Sequence, residues 1–360
     1  MAPKNRRHGG AILAAVCALG LSSCATADYG NGTTGSLTAI GSASQNGPIA
    51  AWLKGWAKEN PPTSLRFSPD GDAVGRDAMV RGMAHFASLD SQLTREDWES
   101  SKTACGPEGA FAVPTSVTPI GVAYNVSSLR NVNLDASTLS AIFHGDITRW
   151  NDKRISELNP DTKLPDMKIV PVWARAESGL AQAVGRYLSP NDGAAAGIAT
   201  QTWANASAGQ SVATYADIAK KVDDTAGSIT FMDRSSIGSR FSTAALRFGD
   251  EFVKFTEDAF TTAVANAKVS EAVGGGVDMS LQVGASPGYS LAFVGYQAFC
   301  HSYQNPALAR LVKSWASYVT GGGGQANSTY FAQVMSPNSK ALELSSSAVE
   351  TIKASQDDNH

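Results

Sequence analysis

Along most of this chain, short apolar runs alternate with stretches whose apolar positions repeat at helical spacing. LTAI (37–40) precedes PIAAWLKGWAKE (48–59), LRFS (65–68) precedes GRDAMVRGMAHF (75–86), and KIVPVW (168–173) precedes SGLAQAVGRYL (178–188). Apolar runs of this length read as strands, and the periodic stretches read as amphipathic helices. Strand, glycine-containing turn, helix is the pattern that builds parallel sheets, with ligands gathering at the C-terminal ends of strands beside helix N-termini. TPIGVAYNVSSL (118–129) predicts a strand ending at Asn125. STLSAIFH (137–144) predicts a helix stopped by a left-handed Gly145, GSITFMD (227–233) another strand, and GYSLAFVGYQAFC (288–300) a long strand before the helix PALARLVKSWASYV (306–319). Gly274–Gly276 and Gly321–Gly324 read as turn or loop, since neither has the Lys-Ser/Thr ending of a phosphate loop.

The 360 residues suffice for two separately cored domains, and a hydrophobic share of 43% is ordinary for a soluble globular protein. The first 24 residues depart from that pattern. A basic start with Lys4, Arg6 and Arg7 leads into an apolar run, Ala11–Leu21, too short to span a bilayer, and then Leu21-Ser22-Ser23-Cys24. This reads as an export signal ending in a bacterial lipobox, with Cys24 lipidated; cleavage after Ala25-Thr26-Ala27 is the alternative. Residues 25–36 are small, polar and glycine-rich, which suits a tether. Removing the signal takes the net charge from −3 to −6, with 26 bases against 32 acids, and argues against a nucleic-acid partner. Cys105 and Cys300 remain in the folded part, and an oxidising compartment points to a disulfide between them, with two buried thiols the alternative. The histidines are too scattered to form a metal set, and no cofactor is expected. No Gly-x-Ser-x-Gly elbow, HExxH or paired nucleophile and base is present, so the chain does not read as an enzyme.

IFHGDITRWNDKRISELNPDTKLPD (142–166), preceded by VTPIGVAYN and followed by VWARAESG, resembles the PstS family, the phosphate-binding lipoproteins of ABC importers, in its actinobacterial form. The similarity runs from Leu37 to the C-terminal helices. It implies an α/β, two-lobed fold of the periplasmic-binding-protein type (type II, venus flytrap), with two hinge strands at FAVPTSV (111–117) and GYSLAFVGY (288–296). On that reading residues 37–113 and 290–356 form lobe I, and 114–289 form lobe II. It further implies a monomer that captures inorganic phosphate, or another small solute, between the lobes and passes it to a membrane permease.

The family's ligand loops transfer one position at a time. Its first loop, Gly-Ala-Gly-Ala-Thr or Gly-Ala-Ser-Ser, corresponds to Gly41-Ser42-Ala43-Ser44, which leaves Ser44 to offer its amide. Its Gly-Ser-Gly-Gly-Gly loop corresponds to Gly71-Asp72-Ala73-Val74-Gly75, with a carboxylate at the donor position. Its Gly-Ser-Asp motif, whose aspartate accepts the ligand's proton, leads to Asp90. Its Arg-Ser-Asp-x-Ser-Gly-Thr-Thr corresponds to Ala174 through Ala181, keeping Ser178 and Gly179 but replacing the arginine by Ala174 and a threonine by Leu180. Ser44, Asp72, Asp90, Arg175, Ser178 and Gly179 are therefore the expected ligand shell, with Arg175 the candidate substitute cation. Two ionised carboxylates about 4 Å apart would repel each other by roughly 4 kcal/mol at an effective dielectric of 20, and would likewise oppose a dianion. A scaffold retuned to another solute, or one serving an envelope or regulatory role without phosphate binding, is the alternative.

Overall fold

A computed structural model describes residues 33–188, 208–283, 287–332, 335 and 338–355. The signal-like segment, Cys24 and the tether as far as residue 32 lie outside the described residues. In chain order, β1 (Gly35–Gly41), α1 (Asn46–Glu59), β2 (Thr63–Ser68), α2 (Asp72–Val80), β3 (Phe86–Leu89) and α3 (Arg95–Cys105) lead into β4 (Ala110–Tyr124). Then come β5 (Asn133–Leu134), α4 (Ala136–His144), α5 (Lys153–Glu157), β6 (Val170–Ala174), α6 (Gly179–Leu188), β7 (Gln210–Val212), α7 (Ala216–Asp223), β8 (Ser228–Asp233) and α8 (Arg234–Ile237). β9 (Ser242–Thr243), β10 (Ala245–Phe248), β11 (Glu251–Val253), α9 (Glu257–Ala265), β12 (Lys268–Glu271) and β13 (Val277–Ser280) precede β14 (Ala292–Cys300). The chain closes with β15 (Ser302–Tyr303), α10 (Pro306–Thr320), α11 (Gly322–Asn327), α12 (Ser339–Glu350) and β16 (Lys353–Ala354).

One continuous sheet of order β2-β1-β3-β14-β4-β8-β6-β7 joins two halves. β4 is the element common to both. All its residues are buried; Ala110–Pro119 pairs antiparallel with β14, and Ile120–Tyr124 pairs with β8. The ladder between β4 and β14 has a register shift at Gly295/Tyr296, within the stretch expected to cross between lobes. Bulges of this kind bend and twist a pair locally.

Each half buries its own core. In the first, Ile49, Trp52 and Trp56 share one face of α1, and Trp56 meets Trp315 of α10 edge-on at 5.3 Å. In the second, Leu139, Ile142 and Phe143 of α4 join Trp150, Val184, Tyr187 and Phe231. Asp135 caps α4 through the Thr138 amide, and Gly145 ends it in the left-handed conformation, as its sequence predicts. The expected Cys105–Cys300 disulfide is present and ties the end of α3 to the end of β14.

Two sequence expectations change. Gly321–Gly324 was expected to be turn or loop, but Gly322–Asn327 is a short helix; a Cβ at Gly324 would lie 2.0 Å from the Tyr318 carbonyl oxygen, so close packing on α10 outweighs glycine's poor helix propensity. Lobe II was expected to include everything up to residue 289, yet Val264, Val269, Val277 and Met279 pack in the first core. The β12–β13 hairpin buries its apolar side there because that core's helix α12 lies against both strands.

Candidate functional site

The first lobe's contribution begins where β1 ends. Gly41 has φ +154°, and a Cβ there would stand 1.9 Å from the Ser88 carbonyl oxygen, so only glycine lets the strand end approach β3 this closely. The Ser42 amide donates to that carbonyl at 2.8 Å, and the Ser42 hydroxyl accepts the Ser44 amide at 3.1 Å to start a short turn, Ala43–Gln45. Gln45 fixes the turn to the hinge. Its side-chain amide donates to the carbonyls of Leu89 (3.0 Å) and Tyr296 (2.9 Å), and its oxygen accepts the Thr115 hydroxyl (3.1 Å).

Beside this turn, Asp72 opens α2 with its carboxylate buried. Its Oδ1 accepts the Asp90 backbone amide at 2.6 Å, and its Oδ2 accepts Arg76 Nε at 2.6 Å. Arg76 also donates to Asp97 Oδ2 (2.8 Å) and to the carbonyl and hydroxyl oxygens of Ser91 (2.8 Å each). The expectation of two uncompensated carboxylates is corrected here. Both Asp72 oxygens are engaged, one of them by the paired Arg76 guanidinium, so Asp72 holds the Asp90 backbone in place rather than presenting a free acceptor. Sequence reading missed Arg76 and Gln45, although the Asp72/Arg76 spacing of four on a helix was a usable signal for the first.

The second lobe meets this network through α6. Parallel strand β6 ends at Ala174, and the chain returns into the helix, placing the α6 N-terminus at the strand's C-terminal end. Ser178 caps it, its hydroxyl accepting the Ala181 amide at 3.1 Å. The Gly179 amide then crosses between lobes and donates to Asp90 Oδ2 at 2.7 Å, while the Ser44 hydroxyl approaches the same oxygen at 3.4 Å. Asp90 is 5% exposed, and its Oδ1 accepts no hydrogen bond from the described residues. Burial pushes its carboxyl up to about 6; the Ser42 hydroxyl opposes the rise, the Asp72 charge adds to it, and the Gly179 amide and Ser44 hydroxyl also oppose it.

Ser44, Asp90, Ser178 and Gly179 thus come together, with Asp72 directly behind them. Arg175 follows a different course: its backbone amide bonds the Val212 carbonyl at 3.0 Å and its guanidinium bonds the Ser211 hydroxyl at 2.8 Å, both on β7. Ala174 is fully buried with Ile218, Val222 and Met232, and Leu180 lies in the second core, so neither forms an exposed cleft wall. No cluster of metal-ligating side chains occurs among the described residues, and none of their helices is long and apolar enough to cross a membrane.

A family model described as a PBP superfamily domain matches residues 26–322. The phosphate-binding protein PstS 3 of Mycobacterium leprae is 28% identical over 296 residues, covering 80% of this chain and 79% of that protein. PstS 2 of Mycobacterium tuberculosis is 26% identical over 352 residues, covering 91% and 94%. Among solved structures, the periplasmic phosphate-binding protein PfluDING, bound with phosphate, superposes with a TM-score of 0.65 at 15% identity, covering 86% of this chain and 92% of that one. A phosphate-binding protein from Stenotrophomonas maltophilia gives 0.60 at 17% identity, covering 86% and 93%. Separate apolar cores in the two halves of one sheet, two strands joining the halves and a polar meeting point at a helix N-terminus agree with these matches: the chain belongs to the PBP superfamily.

Proposed function

We propose that this chain is the extracytoplasmic solute-binding component of a phosphate-type ABC importer, capturing phosphate between its lobes for delivery to a membrane permease. One observation carries the reading: the Asp90 carboxyl of one lobe and the Gly179 amide of the other meet at 2.7 Å, beside the Ser44 hydroxyl. An amide at a helix N-terminus favours an oxyanion, a serine hydroxyl adds a donor, and a carboxylate accepts the one proton that hydrogen phosphate carries. The similarity to PstS proteins over most of the chain supports the same assignment. This is binding chemistry, with no bond made or broken. In this reading Cys24 carries a lipid that anchors a monomer to the outer face of the cell membrane.

Without a guanidinium among these groups, the bidentate contact that strengthens oxyanion binding is missing, so affinity rests on backbone dipoles and Ser44. That feature favours, as second reading, a small solute less charged than phosphate. Calorimetry on phosphate-stripped protein separates the two: one-to-one heat on adding phosphate supports the first, and silence through millimolar phosphate with a folded protein overturns it. Mass spectrometry of the mature N-terminus tests the anchor, a diacylated Cys24 being the expected result.

A further inference from the structure

We infer that Arg186 and Asp278 form a second polar subsite of the cleft, so that the solute best suited to it is a phosphate monoester carrying a hydroxyl group on a short chain. The inference rests on the cleft holding a phosphate group at Gly179 and adds what that phosphate is attached to.

Its first support is the face of α6 on which Arg186 lies. Leu180, Ala183, Val184 and Tyr187 turn one side of the helix into the second core. Gly179 and Arg186, seven residues apart, share another side, which the bond from Gly179 to Asp90 directs toward the first lobe and along which α6 lies against β14. Arg186 is exposed and makes no hydrogen bond or ion pair among the described residues. Surrounding protein lowers its pKa by desolvation, and the nearby Tyr296 and Asp278 oppose that fall, so this guanidinium occupies a crevice that solvent still enters.

The groups near it belong to the first lobe. Tyr296 of β14 pairs with Leu89, the residue before Asp90, and the Gln45 side chain donates to the carbonyls of both, which ties this region to the Asp90 site. The Tyr296 hydroxyl donates to Asp278 Oδ1 of β13 at 2.7 Å, and Asp278 Oδ2 accepts no hydrogen bond from the described residues. A cationic donor beside an anionic acceptor carries no net charge, so the pair does not suit a second anion. It suits a hydroxyl, which accepts from the guanidinium and donates to the carboxylate. The spacing agrees: seven residues of helix rise about 10 Å, and an arginine side chain leans back toward the helix N-terminus. Arg186 is then out of reach of a bare phosphate at Gly179 but within reach of an ester a few carbons long.

Calorimetry on phosphate-stripped protein with inorganic phosphate and with glycerol 3-phosphate tests the subsite. Wild type is expected to bind the ester about tenfold more tightly than the free ion, the worth of one hydrogen bond to a charged group. Arg186→Gln should abolish that preference and leave the affinity for inorganic phosphate unchanged, and Arg186→Lys should keep part of it. An ester bound no more tightly than phosphate by wild type, or a preference that survives Arg186→Gln, overturns the subsite and leaves the proposed function intact. Silence with phosphate beside Arg186-dependent binding of the ester does the reverse: the subsite stands and the free ion is not the solute. Silence with both overturns the two readings together.

Discussion

The two sides of the cleft solve the problem of holding polar groups in different ways. On the first lobe, side chains hold one another: Arg76 joins Asp72, Asp97 and Ser91, Asp72 holds the Asp90 amide, and Gln45 joins the turn to β3, β4 and β14. On the second, the polar groups brought to the meeting point are the Gly179 backbone amide and the Ser178 cap, behind which Ala174 and Leu180 are packed into cores. A charged site can therefore be divided between a side-chain network that positions an acceptor and a helix end that supplies a donor. On the helix side the donating amide is fixed by the fold rather than by residue identity, so it is present with Ala174 at the end of β6.

The largest expected effect breaks the first side. Arg76→Ala leaves Asp72 buried without its cation, and losing one partner of a buried pair costs about 3–5 kcal/mol. Urea unfolding should report that loss; a change below about 1 kcal/mol would mean that the Asp72 carboxylate is solvated or otherwise compensated once Arg76 is gone.

Next comes the pH dependence set by Asp90. Its carboxyl is raised in the folded protein from 3.8 to about 6, so the folded state binds the proton more tightly than the unfolded chain. The sign follows: stability from this group is fully present below pH 4 and is lost as pH rises through about 6, amounting to about 3 kcal/mol at roughly 1.4 kcal/mol per unit. Asp90→Asn should flatten the urea-derived stability curve between pH 4 and 7. An unchanged slope would place the titration elsewhere.

The smallest effect tests the second side. Ser178→Ala removes the cap of α6 and should cost about 1 kcal/mol, as capping hydroxyls commonly do. A loss several times larger would show that the hydroxyl supports the interlobe contact as well as the helix.

How much of this was legible beforehand differs between the same two sides. The resemblance to the PstS family implied the crossing at β4 and β14; strand, turn and helix patterns located β6, the Ser178-Gly179 start of α6 and the α4 helix with its Gly145 stop. Those features follow from local periodicity and turn chemistry, which a sequence displays directly. The first-lobe network was only half visible. Asp72 and Asp90 were named as ligand-shell residues, but which atoms Asp72 serves depends on α2 packing against β1: Gly75 approaches Gly41 so closely that a Cβ would lie 2.7 Å from its Cα. Such contacts join residues distant in sequence, and no spacing rule encodes them. Arg175 shows the same limit, because its partner Ser211 lies on β7, 36 residues later.

The most direct measurement is an amide-resolved magnetic resonance titration of phosphate into the phosphate-stripped protein, following Gly179 and Ser44. If the solute binds where the lobes meet, these two amides shift together, saturate at one phosphate per chain and lead all others in magnitude. Saturable shifts that avoid both and gather on another surface would contradict a binding site between Asp90 and the start of α6.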